Sequence, residues 1–165
     1  MKQALFVILM CISATICNAQ VDSIQPPYKR FPTTPPFNIL LADSTTHLTK
    51  DDLSKKRPLL LMIFSPDCDH CQHETEAIIQ HIDELKKVQI VMVTMLPFEK
   101  LKEFYTKYDL QRFDNIKVGK DMNYMLPTFY NVRNLPYLAF YDKKGNLIQT
   151  FEGSMSIENV IKAFD

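Results

Sequence analysis

Residues 59–74 read Leu59-Leu60-Leu61-Met62-Ile63-Phe64-Ser65-Pro66-Asp67-Cys68-Asp69-His70-Cys71-Gln72-His73-Glu74. A run of six apolar residues is the pattern of a strand buried on both faces rather than on one. After Ser65-Pro66 the period changes. Cys71, Ile78, Ile82 and Leu85 recur at helical spacing, with Glu74, Glu76, Gln80, Asp83, Glu84 and Lys86 between them. The strand–helix joint therefore projects Cys68 at a helix N-terminus, where unpaired amide N–H groups and the helix dipole favour negative charge. The thiolate is the nucleophilic form of cysteine, so this position activates Cys68. Cys71 lies one turn further in and is more enclosed, which suits it to resolving a mixed disulfide rather than starting one.

Further along the chain, Val88–Leu96 reads as a second inner strand ended by Pro97, and Glu99–Lys107 as a helix with Leu101, Phe104 and Tyr105 turned inward. Ile116–Val118 is expected as a short strand, and Asp121–Tyr130 as a helix interrupted at Pro127. Pro136 leads into a strand over Tyr137–Tyr141. Asp142–Asn146 then turns the chain, with Gly145 supplying a positive φ, and Leu147–Phe151 returns antiparallel. Ser156 is placed to cap a last helix through Phe164. Before the quoted stretch, Asn38–Ala42 and His47–Thr49 suggest a hairpin about Asp43-Ser44, and Lys50–Lys56 a helical turn stopped by Pro58. Helices between inner strands imply a parallel core, to which the final hairpin adds antiparallel strands. The expected class is α/β, a central mixed sheet flanked by helices on both faces.

The N-terminal end is different in kind. Lys2, an apolar run from Ala4 to Ile16, and Cys17-Asn18-Ala19 have the layout of a secretory signal peptide cleaved after Ala19. Residues 1–19 are thus read as a signal, and export, foremost to a periplasm, is expected. A membrane-anchored form is the competing reading, although the run is shorter than the roughly 20 residues a spanning helix needs. Cleavage removes Cys11 and Cys17. The two cysteines left, Cys68 and Cys71, can bond to each other in an oxidising compartment. Residues 20–36 read as a linker or an extended arm laid over the domain: Val21–Pro36 holds five prolines in sixteen residues, so neither helix nor inner strand is expected there. Residues 37–165 form the domain.

Composition removes several functions. The 165 residues, 46% apolar, suffice for one compact domain. Lys plus Arg, 19, equals Asp plus Glu, 19, without a basic stripe, which argues against nucleic acid as a partner and against acidic membrane surfaces. Glycine occurs only at Gly119, Gly145 and Gly153, leaving no loop to cradle a phosphate. No cofactor and no bound metal is expected, since zinc wants about four ligands and only His70, His73 and scattered acids accompany the cysteines.

Taken together, FSPDCDHCQHE at 64–74, the Pro36-Phe37 start and the insert before Pro136 resemble the exported TlpA/ResA-like thiol–disulfide oxidoreductases of the thioredoxin superfamily, especially those of Bacteroidetes-type bacteria. The resemblance covers about residues 36–165. It implies a thioredoxin-like fold with an N-terminal hairpin and an insert before the cis-proline strand. It further implies that Leu135–Pro136 is cis, that Pro136 faces the cysteines, and that Leu135 and Pro136 receive an extended substrate strand. Glu74 matches the family's acid three positions after the second cysteine. Two positions depart from the family: Asp67 replaces the Trp commonly found before the first cysteine, and Met62 stands where thioredoxin itself keeps a buried acid. Proton transfer involving Cys71 then falls to Glu74 or water.

The catalytic candidates are accordingly Cys68, Cys71, Glu74 and His70, the last because a residue between the cysteines can stabilise the Cys68 thiolate by charge or hydrogen bond. The partners expected are protein disulfide substrates and an unidentified redox partner, which could be membrane-bound, and the protein itself is expected to be a monomer. Asp67 and Asp69 oppose negative charge on Cys68 while the helix end and His70 favour it, so a reductant or isomerase is expected rather than a strong oxidant. Two other readings stay open: a copper(I) chaperone using soft thiolates with His70 or His73, and a redoxin-type peroxidase, given Ser65 three residues before Cys68.

Overall fold

The computed structural model describes residues 25–165; the signal-peptide reading of residues 1–19 lies outside them. Its strands are β1 (Asn38–Leu41), β2 (His47–Thr49), β3 (Leu59–Ile63), β4 (Gln89–Thr94), β5 (Ile116–Lys120), β6 (Tyr137–Tyr141) and β7 (Leu147–Glu152). They form one sheet in the order β2-β1-β5-β4-β3-β6-β7. β3 pairs parallel with β4 and β4 with β5, while every other pairing is antiparallel. The helices are α1 (Pro27–Arg30), α2 (Asp69–Gln80), α3 (Ile82–Leu85), α4 (Phe98–Lys107), α5 (Met125–Tyr130) and α6 (Ile157–Lys162).

All five residues of β3 are buried, as its unbroken apolar run requires. Leu60 and Met62 face the layer built by α2, α3, α4 and α6, in contact with Cys71, Ile78, Leu101 and Val160. Leu59, Leu61 and Ile63 face the opposite layer, with Phe37, Leu126 and Tyr130. Burying side chains of this size contributes about 1.5–3 kcal/mol each, which makes β3 the rigid base from which the Cys68 loop leaves.

The structure corrects two expectations. The proline-rich arm carries a helical turn, α1, because Pro27 occupies its first position, where a missing N–H costs no hydrogen bond. Tyr28 of that turn packs on Tyr130 with ring centroids 5.8 Å apart. The arm then runs along the β6–β7 turn, where Leu147 N donates to Pro32 O and Thr34 N to Gly145 O, each at 2.9 Å. The helix expected from Asp121 begins only at Met125 and passes through Pro127 unbroken. Pro127 falls in the first turn, whose amides have no intrahelical acceptor. Asp121 is instead a buried cap: its carboxylate accepts from Asn123 N at 3.1 Å and from Leu126 N at 2.8 Å.

Smaller differences lie at element ends. The turn expected over Lys50–Lys56 is a 3₁₀ turn of Lys50–Asp52, closed by a capping box between Thr49 and Asp52. β5 extends to Lys120 because it is paired on both sides, by β4 and β1. Gly119 permits that extension: a Cβ there would sit 2.9 Å from Leu40 O and 3.0 Å from Ile39 Cδ1. Gly119→Ala is therefore expected to destabilise the protein by about 1–3 kcal/mol through overpacking, read as a lower urea midpoint at unchanged slope.

Candidate active site

Cys68 is the N-cap of α2. Its backbone is extended (φ −97°, ψ 117°), and its Sγ accepts the Cys71 N–H at 3.4 Å. The loop that delivers it is tied by Cys68 N donating to Ser65 O at 3.1 Å and by Gln72 Nε2 donating to Pro66 O at 2.9 Å. Cys68 is partly exposed and Cys71 is buried; both are thiols. The helix N-terminus therefore presents its free amides to Cys68, while Cys71 sits in the core beside Met62 and Phe64. Burial, followed by the hydrogen bond with Cys68, pushes the Cys71 thiol up to about 12. Cys71 thus keeps its proton at neutral pH.

The Leu135–Pro136 peptide bond is cis. Cys68 Sγ donates a weak hydrogen bond to Leu135 O at 3.9 Å, which places the Pro136 loop against the exposed sulfur. Glu74 is buried at 2% exposure. Its Oε2 accepts the Met155 N–H at 2.9 Å, whereas Oε1 has no partner. Burial raises its carboxyl above the ordinary range, and the Met155 N–H counteracts this in part. Met62 leaves the strand side of the cysteine apolar.

One loop that the sequence did not single out links these parts. Gly153 N donates to Pro136 O at 2.8 Å, Ser154 Oγ to His70 O at 3.2 Å, and Met155 N to Glu74 Oε2. Gly153, at φ +95°, supplies the left-handed backbone that starts this loop. The fold therefore brings Cys68, Cys71, Leu135, Pro136 and Glu74 together. His70 stands on the same first turn, but its side chain is exposed and it is the backbone carbonyl that is engaged. No local signal marks Ser154 or Met155, because both act through long-range contacts.

Cys68 remains partly accessible to solvent. A cleft of about 290 Å³ lies at the other end of the sheet, between Thr34, Leu53, Leu59, Gln89 and Gly145, far from the sulfur. Among the described residues no three His, Cys, Asp or Glu side chains are grouped as metal ligands.

A family model described as "Thioredoxin-like domain" matches residues 48–165. The chain belongs to the thioredoxin-like domain family. With a Cys-x-x-Cys pair at the strand–helix joint, this family membership makes it an oxidoreductase by class. The chain is 29% identical over 105 residues to the thioredoxin-like protein SkfH of Bacillus subtilis (strain 168), a match that covers 63% of this chain and 74% of that protein. Two solved structures share the fold. MTB dsbF superposes with a TM-score of 0.67 at 24% identity, over 79% of this chain and 96% of the other. The exposed lipoprotein thioredoxin of Streptococcus pneumoniae strain TIGR4 superposes with a TM-score of 0.62 at 22% identity, over 78% and 98%. Among the described residues no helix is long and apolar enough to cross a membrane.

Proposed function

We propose that this thioredoxin-like oxidoreductase exchanges disulfides with exported protein substrates. The observation that carries the reading is the asymmetry of the two sulfurs. Cys68 is accessible at the positive end of α2, and Cys71 is buried behind it with its thiol raised to about 12. In the reductive direction the Cys68 thiolate attacks a substrate disulfide. The substrate S–S bond breaks, a Cys68–substrate disulfide forms, and the released sulfur takes up a proton. Cys71 then gives its proton to Glu74 or water and attacks Cys68. The second substrate thiol leaves, and the Cys68–Cys71 disulfide remains. A separate thiol redox partner returns two electrons to the pair. Leu135 and Pro136 border the sulfur where an extended substrate segment would pair with the backbone.

The export reading rests on the layout of residues 1–19 and agrees with the exposed-lipoprotein description of one structural relative. Reduction or isomerisation is the favoured direction, as the carboxylate of Asp69, with no cation paired to it among the described residues, adjoins the nucleophile. The test is to supply the reduced protein in parallel with insulin, hydrogen peroxide and copper(I). Cleavage of insulin disulfides is expected, catalytic when dithiothreitol is present to return the Cys68–Cys71 disulfide to the dithiol. Turnover of peroxide without insulin cleavage, or tight copper(I) binding without exchange, would overturn the proposal.

A further inference from the structure

Of the three ion pairs among the described residues, two are local: His81–Glu84 and Arg112–Asp109 are each three residues apart. The third joins distant elements and ends beside the nucleophile. Lys100 Nζ on α4 lies 3.2 Å from Oδ1 of Asp67, the residue immediately before Cys68. A second brace runs from the same helix to the same loop. Lys107 Nζ donates to Gln72 Oε1 at 2.9 Å, and Gln72 Nε2 donates to Pro66 O at 2.9 Å. Between them is a cleft of about 250 Å³ whose wall includes Glu103 and Phe104.

We infer that Lys100 is a positioning residue for Cys68, holding the Asp67 carboxylate against α4 and screening its charge from the thiolate. The inference rests on the disulfide-exchange reading and adds to it a residue that modulates the reactivity of the attacking sulfur. Asp67 alone would place a full negative charge on the residue adjoining the one whose sulfur must become negative to react. Held by Lys100, it forms half of a neutral pair, and the free amides of α2 act on Cys68 with less opposition. The other charged or titratable groups near this end are Asp69, His70 and the buried Cys71 and Glu74 on α2, and Glu103 and Lys107 on α4. Asp69 has no cation paired with it among the described residues, so Asp67 is the carboxylate that the fold neutralises. Both partners are about half exposed, at 46% and 58%, so the effect is moderate and screened by salt.

The test measures iodoacetamide alkylation of Cys68 against pH in the full dithiol protein, for Lys100→Gln, Asp67→Asn and the double variant. Insulin cleavage is followed alongside. Lys100→Gln is expected to slow alkylation at neutral pH about two- to fivefold and to move the profile to higher pH. Asp67→Asn alone should leave the rate unchanged or faster, and the double variant should behave like Asp67→Asn. The Lys100→Gln effect should fade in high salt. An unchanged profile in Lys100→Gln, or an equal loss when Asp67 is already Asn, would overturn the inference. The insulin arm separates this from the exchange reading. If wild type fails to cleave insulin while the alkylation pattern holds, exchange as the function fails and the role of Lys100 stands.

Discussion

Cys68→Ser is expected to reduce disulfide exchange to background, whereas Cys71→Ser is expected to accumulate substrates covalently bound through Cys68. The two residues share a motif, but the fold treats them oppositely. Cys68 caps α2 and remains accessible; Cys71 is fully buried with its thiol held protonated. Without Cys68 no sulfur is placed to meet a substrate disulfide. Without Cys71 the first attack proceeds, but nothing resolves the mixed disulfide. Non-reducing gels of each variant after incubation with oxidised substrate distinguish the two. Equal trapping by Cys68→Ser would reverse the assignment of roles.

Glu74→Gln is expected to slow the resolving step by about 10²-fold, the lower range for loss of a positioned acid–base group. Glu74 lies one turn beyond Cys71, with one oxygen on Met155 N–H and the other unpartnered. Burial raises its carboxyl above 4.5, toward the range where it can take a proton from Cys71 and return it. The same shift sets a stability signature. A carboxyl whose pKa is raised on folding binds its proton more tightly in the native state. Its stabilising contribution is therefore fully present below the unfolded value of 4.5 and is lost as pH rises through the folded one. Wild type should lose stability over that window and Glu74→Gln should not, as urea midpoints against pH would report. If Glu74→Gln keeps both the rate and the pH slope of wild type, Glu74 is only a packed helix residue.

The central strand and helix were legible because their signals are local. Leu59–Phe64 leaves no polar face for solvent, and the helix following Cys68 keeps its apolar spacing to Ile78; the expected continuation to Leu85 is broken at His81, whose non-helical backbone divides it into α2 and α3. The parallel core and the final hairpin followed from the same pattern. The arm was not legible: a proline-based rule excludes helix over the whole stretch, yet Pro27 at a first helical position is harmless and Tyr28 finds its partner 102 residues later on Tyr130. The late start of α5 depends on Asp121, a carboxylate whose capping role appears only once the chain folds back on it. The same division holds at the site. Cys68 and Cys71 stand out by spacing, and Glu74, Leu135 and Pro136 by family resemblance. Lys100, Ser154 and Met155 reach the site from 33, 84 and 81 residues away from their bonding partners, and nothing in their immediate neighbourhood sets them apart.

Equilibrating the protein in glutathione buffers of graded ratio, then alkylating and weighing it, measures the Cys68–Cys71 couple itself. The expected result is one reversible two-electron transition in which both thiols disappear together, at a potential well below the about −120 mV of the strongest oxidants of this chemistry. A pair that never closes, or that loses only one thiol, would contradict disulfide exchange by Cys68 and Cys71. A midpoint near about −120 mV would contradict the reductive direction.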